Sequence, residues 1–161
     1  MHDDFNAGVW LLDRHIDEGN GARIALRCGG ISTTYAQLFN LTQRVSTGLR
    51  NLGVRPEERV AMVMLDTPEF VATFLGALRI GALPVLTNPL LPGRDLGRIV
   101  SDSRARVVVV SHERAGSVAE ILDGASEVSH VVSTGAESLA SGPTWNQFCE
   151  ETSNARQYTT W

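Results

Sequence analysis

The sequence contains no lysine, because all fourteen of its basic residues are arginine. This absence excludes from the chain itself any mechanism that needs an ammonium group, such as a Schiff base or the lysine of a phosphate-binding loop. Cysteine is almost as scarce, since Cys28 and Cys149 are the only two and stand far apart. Such a pattern offers neither the spacing of a metal site nor a disulfide framework, and it is typical of a reducing cytoplasm.

Basic surface and long apolar runs are also lacking. The formal net charge is -4 and the sequence pI is about 5.5, which argues against a role in binding nucleic acid or an anionic membrane surface. No apolar run approaches the length of a membrane span, and the first fifteen residues are acidic and amphipathic, unlike a signal peptide. The histidines at 2, 15 and 130 stand singly, so no metal site is predicted. We expect a cytoplasmic protein.

A strand, a helix and a second strand are predicted over residues 59–89, and the rest of the chain is organised around them. Residues 60–65 form a continuous apolar run, which is typical of a strand buried on both faces of a parallel sheet. Thr67 is predicted to cap the helix through its side chain, with Pro68 at the first helical position and Gly81 just past the end. The apolar face of this helix is predicted to consist of Phe70, Val71, Phe74, Leu75 and Leu78. A right-handed crossover then gives a βαβ unit.

Helices and strands alternate on both sides of this unit. Before it, we predict a helix capped by Asn6 and anchored by Trp10, a small edge hairpin turning at Gly29-Gly30, and a helix that starts with a capping box at Thr34. After it, we predict a helix over residues 94–103, a strand over 107–110, a short helix over 117–122 and a last strand over 128–132. This alternation predicts an α/β fold, a doubly wound and mostly parallel sheet with helices on both faces.

Beyond the last strand, the chain is predicted to be less ordered. We assign residues 1–135 to one α/β subdomain and residues 136–161 to a poorly ordered or truncated continuation, with a possible turn of helix at 145–149. Because few periodic apolar residues follow it, the strand over 128–132 is predicted to be an open edge. An open edge and exposed apolar surface together predict self-association.

Candidate binding residues are sought where the strands end, since open α/β sheets bind ligands outside the carboxyl ends of their strands. Asp66 and Thr67 follow the first strand of the unit, and Asn88 follows the second, so these three are the predicted substrate-binding residues. Helix capping also explains the first two and is the favoured interpretation, and a turn before Pro89 is likewise favoured for Asn88. No catalytic residue is predicted, because the side chains of Ser111-His112 point to opposite sides of an extended chain.

Two stretches resemble a known family. They are YAQLFNLTQRVSTGLRNLGVRPEERVAMVMLDTPEFVATFLGALRIGALPVLTNPLL, which starts at Tyr35, and SRARVVVVS, which starts at Ser103. Both resemble the amino-terminal subdomain of AMP-forming acyl- and aryl-CoA ligases, in particular the benzoate-CoA ligase branch. The resemblance implies a two-step reaction, in which a carboxylate attacks ATP to give an acyl adenylate and pyrophosphate, and the CoA thiol then displaces AMP.

The resemblance also implies what this chain does not do alone. The family's Ser/Thr/Gly-rich phosphate loop with its lysine, and the second lysine of its mobile lobe, have no counterpart, and residues 157–159 look like the strand that leads into the loop. ATP, Mg²⁺ and CoA are therefore implied for the complete enzyme and no cofactor for this chain. The implied partners are the missing ligase lobe, or a second copy of the chain, and a small carboxylic acid in the complete enzyme.

Two functions remain open on the sequence. The first is an amino-terminal fragment of an AMP-forming acyl- or aryl-CoA ligase that is not catalytically competent alone, because phosphoryl-centre chemistry needs charge stabilisation. The alternative is a non-catalytic α/β module that binds a partner protein, such as the remainder of a split ligase. DNA that continues after Trp161 into a Ser/Thr/Gly loop and a lysine would favour the first.

Overall fold

The computed structural model describes residues 5–140 and 142–150. The helices are α1 (Ala7–Asp17), α2 (Tyr35–Asn51), α3 (Pro68–Arg79), α4 (Gly93–Ser103), α5 (Val118–Leu122) and α6 (Trp145–Glu150). The strands are β1 (Ile24–Cys28), β2 (Ile31–Thr34), β3 (Arg59–Val63), β4 (Leu83–Leu86), β5 (Ala105–Val110) and β6 (His130–Ser133), and a 3-10 helix covers His112–Ser117. No helix in these two ranges is long and apolar enough to cross a membrane.

Four parallel strands in the order β4-β3-β5-β6 form the main sheet. Successive residues of β3 point to opposite faces, so that Val60 and Met62 enter one core while Ala61 and Val63 enter another. Helices α1, α2, α3 and α6 supply side chains to the first core, and helices α4 and α5 supply them to the second. The doubly wound α/β fold predicted from the sequence is confirmed.

Helix α3 differs in two details from the prediction. Thr67 does stand at the N-cap, but its side chain makes no capping hydrogen bond, and Pro68 starts the helix with its fixed φ. The fully buried positions are mostly small residues, Ala72, Gly76 and Ala77, whereas the predicted large apolar residues are half-buried except for Leu75. The reason is that α1 and α2 pack on α3 in addition to the sheet, and small residues allow helices to approach closely.

Helix α1 is tied to the end of α3 by two side chains. The Asn6 Oδ1 accepts the Val9 amide at 3.1 Å, as predicted for a cap, and its Nδ2 donates to the Leu78 carbonyl at 2.9 Å. Asp13 accepts two hydrogen bonds from the Arg79 guanidinium, at 2.5 and 2.7 Å. The prediction that Trp10 anchors this helix is wrong, since its side chain is 48% exposed under the Arg14 guanidinium.

The hairpin and the capping box form as their local sequences predict. Gly29 and Gly30 have φ of 54° and 80°, as the turn between β1 and β2 requires. The Thr34 Oγ1 accepts the Gln37 amide at 3.2 Å, and the Gln37 Oε1 accepts the Thr34 amide at 2.8 Å. The hairpin is not at the edge of the main sheet, however, because it forms a two-stranded sheet of its own.

The last strand is not the open edge that the sequence predicts. Residues 142–144 return alongside β6, where Thr144 forms a bridge with Ser133 and the Ser133 amide donates to the Pro143 carbonyl at 3.4 Å. Helix α6 then buries Trp145 and Phe148 in the first core. The division of the chain after residue 135 stays a prediction, and the strand predicted at 157–159 lies outside the described residues.

The two cysteines have unlike surroundings, and neither forms a disulfide. Burial raises the pKa of the Cys149 thiol from 9.0 to about 11, an effect that the nearby Arg44 partly opposes. We therefore expect iodoacetamide at pH 8 to alkylate the half-buried Cys28 and to leave Cys149 unmodified in the folded chain, as read by peptide mass spectrometry. Equal alkylation of both thiols without urea would contradict the burial of Cys149.

The raised pKa of the Cys149 thiol also predicts how the stability of the folded chain changes with pH. The unfolded thiol ionises near pH 9 while the folded thiol stays neutral, so the stabilisation is complete below pH 9 and is lost as the pH rises toward 11. The Cys149→Ala variant should lack this part of the alkaline loss in urea titrations.

Candidate functional site

The carboxyl ends of the four parallel strands meet at one edge of the main sheet. The polar residues at or shortly after these ends are Asp66 and Thr67, Thr87 and Asn88, Ser111 and His112, and Ser133 and Thr134. After β3 the chain enters α3, whereas after β5 it reaches α5 on the other face. The strand order therefore reverses between β3 and β5, and such a switch point is where ligands bind in sheets of this kind.

Most hydroxyl groups at this edge hold the backbone together. The buried Ser111 Oγ accepts the Leu65 amide at 2.9 Å, and the Ser111 amide donates to the Val63 carbonyl at 3.0 Å. The Thr134 Oγ1 accepts the His112 amide at 3.1 Å. Ser111 thus joins the ends of β3 and β5, and it is positioned as a structural residue and not as a nucleophile.

Asp66 and Thr67 lie together in a cleft of about 310 Å³ between β1 and the first turn of α3. Its apolar wall is formed by Leu26, Pro68, Phe70 and Val71, and its remaining lining by Arg27 and Cys28. The Cys28 Sγ donates to the Asp66 carbonyl at 3.5 Å. A cleft with an apolar wall and a few polar groups can take a small, partly apolar molecule.

The third predicted binding residue lies elsewhere. Asn88 is exposed, and its Oδ1 accepts the Leu90 amide at 3.0 Å, so its side chain closes a turn. It does not line the cleft that holds Asp66 and Thr67. Conversely, the sequence did not identify Arg27 and Cys28 as lining residues, because no local pattern indicates that the hairpin approaches α3.

A larger groove, of about 680 Å³, runs between α4 and α5 and contains none of the strand-end residues. Its charged lining is mixed, with Arg94, Arg98, Asp102, Glu120 and Asp123. Among the described residues, no group of three or more histidines, cysteines or carboxylates is placed to hold a metal ion. The strand-end cleft is therefore the better candidate for a binding site.

Comparison with known proteins identifies one family. The family model described as "AMP-binding enzyme" matches residues 12–157. The 4-hydroxybenzoate--CoA/benzoate--CoA ligase of Rhodopseudomonas palustris is 41% identical over 110 residues, which are 68% of this chain and 20% of the relative. The benzoate--CoA ligase of Thauera aromatica is 35% identical over 140 residues, which are 84% of this chain and 27% of the relative.

A solved structure shows the same likeness in three dimensions. The benzoate CoA ligase from Burkholderia xenovorans LB400 superposes with a TM-score of 0.79 at 32% identity, over 91% of this chain and 28% of the ligase. The match falls in the amino-terminal part of these ligases. The chain thus spans about a fifth to a quarter of the length of the relatives it matches.

Proposed function

The chain belongs to the family of AMP-binding enzymes, and on this premise we propose that it acts as the amino-terminal lobe of an AMP-forming aryl-CoA ligase. The observation that supports this most is the joint likeness to benzoate-CoA ligases in sequence and in fold over most of the chain. The completed enzyme would join a carboxylic acid to CoA, through an acyl adenylate, at the expense of ATP. An aromatic acid such as benzoate or a hydroxybenzoate is the proposed substrate, since the relatives are named for these acids.

The described residues do not fit ATP or Mg²⁺ by themselves. The chain has no lysine to contact phosphate, and the described residues present no cluster of metal ligands. We therefore place the groups that bind ATP, Mg²⁺ and CoA in the part of the ligase that this chain does not span, and we assign this lobe no chemical step on them. A cytoplasmic location belongs to the same proposal and is supported by the low cysteine content of the chain, two residues in 161.

The alternative function, a non-catalytic module that binds a partner protein, is not favoured. The likeness is to ligases along almost the whole chain. A likeness to the amino-terminal part of an enzyme is what a ligase lobe would show.

Within this function, Asp66 and Thr67 are the proposed substrate-binding residues. They follow β3, one of the two strands that flank the switch point, and they line the cleft between β1 and α3. The Thr67 side chain is not used to cap α3. Asn88 is proposed to act indirectly, by holding the turn after β4 through its bond to the Leu90 amide.

A fusion tests the proposed function. The chain is joined in frame to the part of the Rhodopseudomonas palustris ligase that follows the matched stretch, so that it replaces the relative's own amino-terminal lobe. We expect the fusion to form benzoyl-CoA from benzoate, ATP and CoA, measured by chromatography of the thioester. A fusion that folds by circular dichroism but makes no thioester with any aromatic acid, while the intact relative does, would overturn the proposal.

The same assay tests the proposed contacts. Thr67→Val should raise the KM for the acid several-fold, because the hydroxyl of a residue that lines the cleft is lost while the shape of the side chain is kept. The matched control is Thr47→Val, since the Thr47 hydroxyl bonds to the Gln43 carbonyl within α2. Equal KM values for the two variants would show that the Thr67 hydroxyl does not contribute to substrate binding.

A further inference from the structure

The cleft between β1 and α3 carries two opposite charges that do not pair with each other. Arg27 and Asp66 both line it, and both are exposed. Among residues 5–140 and 142–150, neither of them takes part in an ion pair. The hydrogen bond from the Cys28 Sγ reaches the backbone carbonyl of Asp66 and does not use its carboxylate. A ligand in this cleft therefore meets one cation and one anion that are both available to bind it.

The apolar wall and the volume of the cleft limit the size of that ligand. Leu26 of β1 and Phe70 and Val71 of α3 belong to the wall, and all three are packed against the first core, which holds them in place. The volume of about 310 Å³ is at the lower end of the range for small-molecule pockets, roughly 300–1,000 Å³. The cleft therefore suits a molecule with a single ring and not a long acyl chain.

An aromatic acid without further polar groups matches these charges only in part. Its carboxylate is attracted to Arg27, but its ring displaces part of the water around the Asp66 carboxylate and offers no donor in return, which is unfavourable. An acid with a hydroxyl or amino group on the ring satisfies both residues, because a guanidinium donates to a carboxylate and the Asp66 carboxylate accepts from the ring substituent. Discrimination of this kind depends on the group that the wrong ligand leaves unpaired.

We propose that the cleft selects single-ring acids that carry a hydrogen-bond donor on the ring, and that Asp66 determines this preference. The inference rests on the proposed function, which supplies the class of ligand, and it separates hydroxybenzoates and aminobenzoates from benzoate within that class. In this arrangement the apolar wall holds the ring, Arg27 offsets the negative charge of the acid, and Asp66 accepts the hydrogen bond from the ring substituent.

Titration of the isotope-labelled chain with 3-hydroxybenzoate, 4-hydroxybenzoate, 4-aminobenzoate and benzoate, followed by the amide resonances, tests this inference. We expect the resonances of residues 26–28 and 69–71 to shift saturably, with a Kd for the best substituted acid that is roughly tenfold lower than the Kd for benzoate. Asp66→Ala, whose dispersed spectrum shows that it folds, should reduce this ratio to about one. The matched control is Asp102→Ala, since Asp102 is an exposed aspartate that lines the groove between α4 and α5, and it should keep the ratio.

The outcomes separate the selectivity of the cleft from the function. Equal Kd values for all four acids, no saturable shift with any of them, or an Asp66→Ala variant that keeps the ratio would each overturn the inference. If the fusion described above nevertheless forms benzoyl-CoA, the function stands without the selectivity. A preference that depends on Asp66, in a chain whose fusion forms no thioester, supports the selectivity and overturns the function.

Discussion

The 161-residue chain alone, given ATP, Mg²⁺ and benzoate, is expected to form no acyl adenylate. Attack of a carboxylate on ATP develops negative charge that must be stabilised by cations placed in advance, and a lost stabilising group of this kind costs orders of magnitude in rate. The chain has no lysine, and its described residues hold no cluster of metal ligands. Of the residues that line the cleft, Arg27 is the one cation, and it is exposed.

Carboxylate-dependent exchange of labelled pyrophosphate into ATP measures this reaction without CoA. The fusion with the relative's remaining part is the positive control, because it differs from the chain only in what is added. Exchange by the chain alone that exceeds a heat-treated sample, and that depends on the acid, would show that this lobe carries adenylation chemistry of its own.

Gly76→Leu is expected to unfold the chain or to lower its free energy of unfolding by roughly 1–3 kcal/mol or more, the usual cost of overpacking. A Cβ atom at Gly76 would lie 2.9 Å from the Val45 Cγ1 and 3.3 Å from the Ser46 amide nitrogen of α2. The Gly76 carbonyl also accepts a hydrogen bond from the Ser46 Oγ at 3.2 Å. A leucine side chain would therefore force α2 and α3 apart, because helix backbone cannot yield as a flexible side chain can.

Urea unfolding followed by circular dichroism measures the loss. Gly116→Leu is the matched control, since no atom lies within 4 Å of a Cβ at Gly116, and it should change stability little. A Gly76→Leu chain as stable as the parent would mean that α2 and α3 do not pack as closely as the structure has them. The structure places this clash against α2 and not against the sheet.

Local sequence signals predicted most helices and strands. The features that were not predicted depend on contacts between residues far apart in the chain. The capping box at Thr34 and the glycine pair of the hairpin need only neighbours in sequence, and both formed as predicted. The position of the hairpin, the cover over β6 and the face of α3 that is buried depend on residues far along the chain. Periodicity reports that a helix has an apolar side, but it does not report how many neighbours the helix has.

The candidate site was likewise predicted only in part. Alternation of strands and helices was enough to place Asp66 and Thr67 at the carboxyl edge of the sheet, since that follows from topology alone. The other wall of their cleft comes from β1, and Cys28 reaches Asp66 across 38 positions of sequence. Asn88 was chosen by the same rule but lies apart, because its side chain closes a turn.

The Asn6 side chain links the first turn of α1 to the last turn of α3. Its side-chain oxygen satisfies the first turn of α1, while its side-chain amide group satisfies carbonyls of the last turn of α3, those of Leu78 and Arg79. Helix ends normally fray independently, because each leaves its own backbone groups without partners. Here a single amide serves both, so loosening one end removes partners from the other. We therefore expect these two helix ends to open together, although Asn6 and α3 stand more than sixty residues apart in sequence.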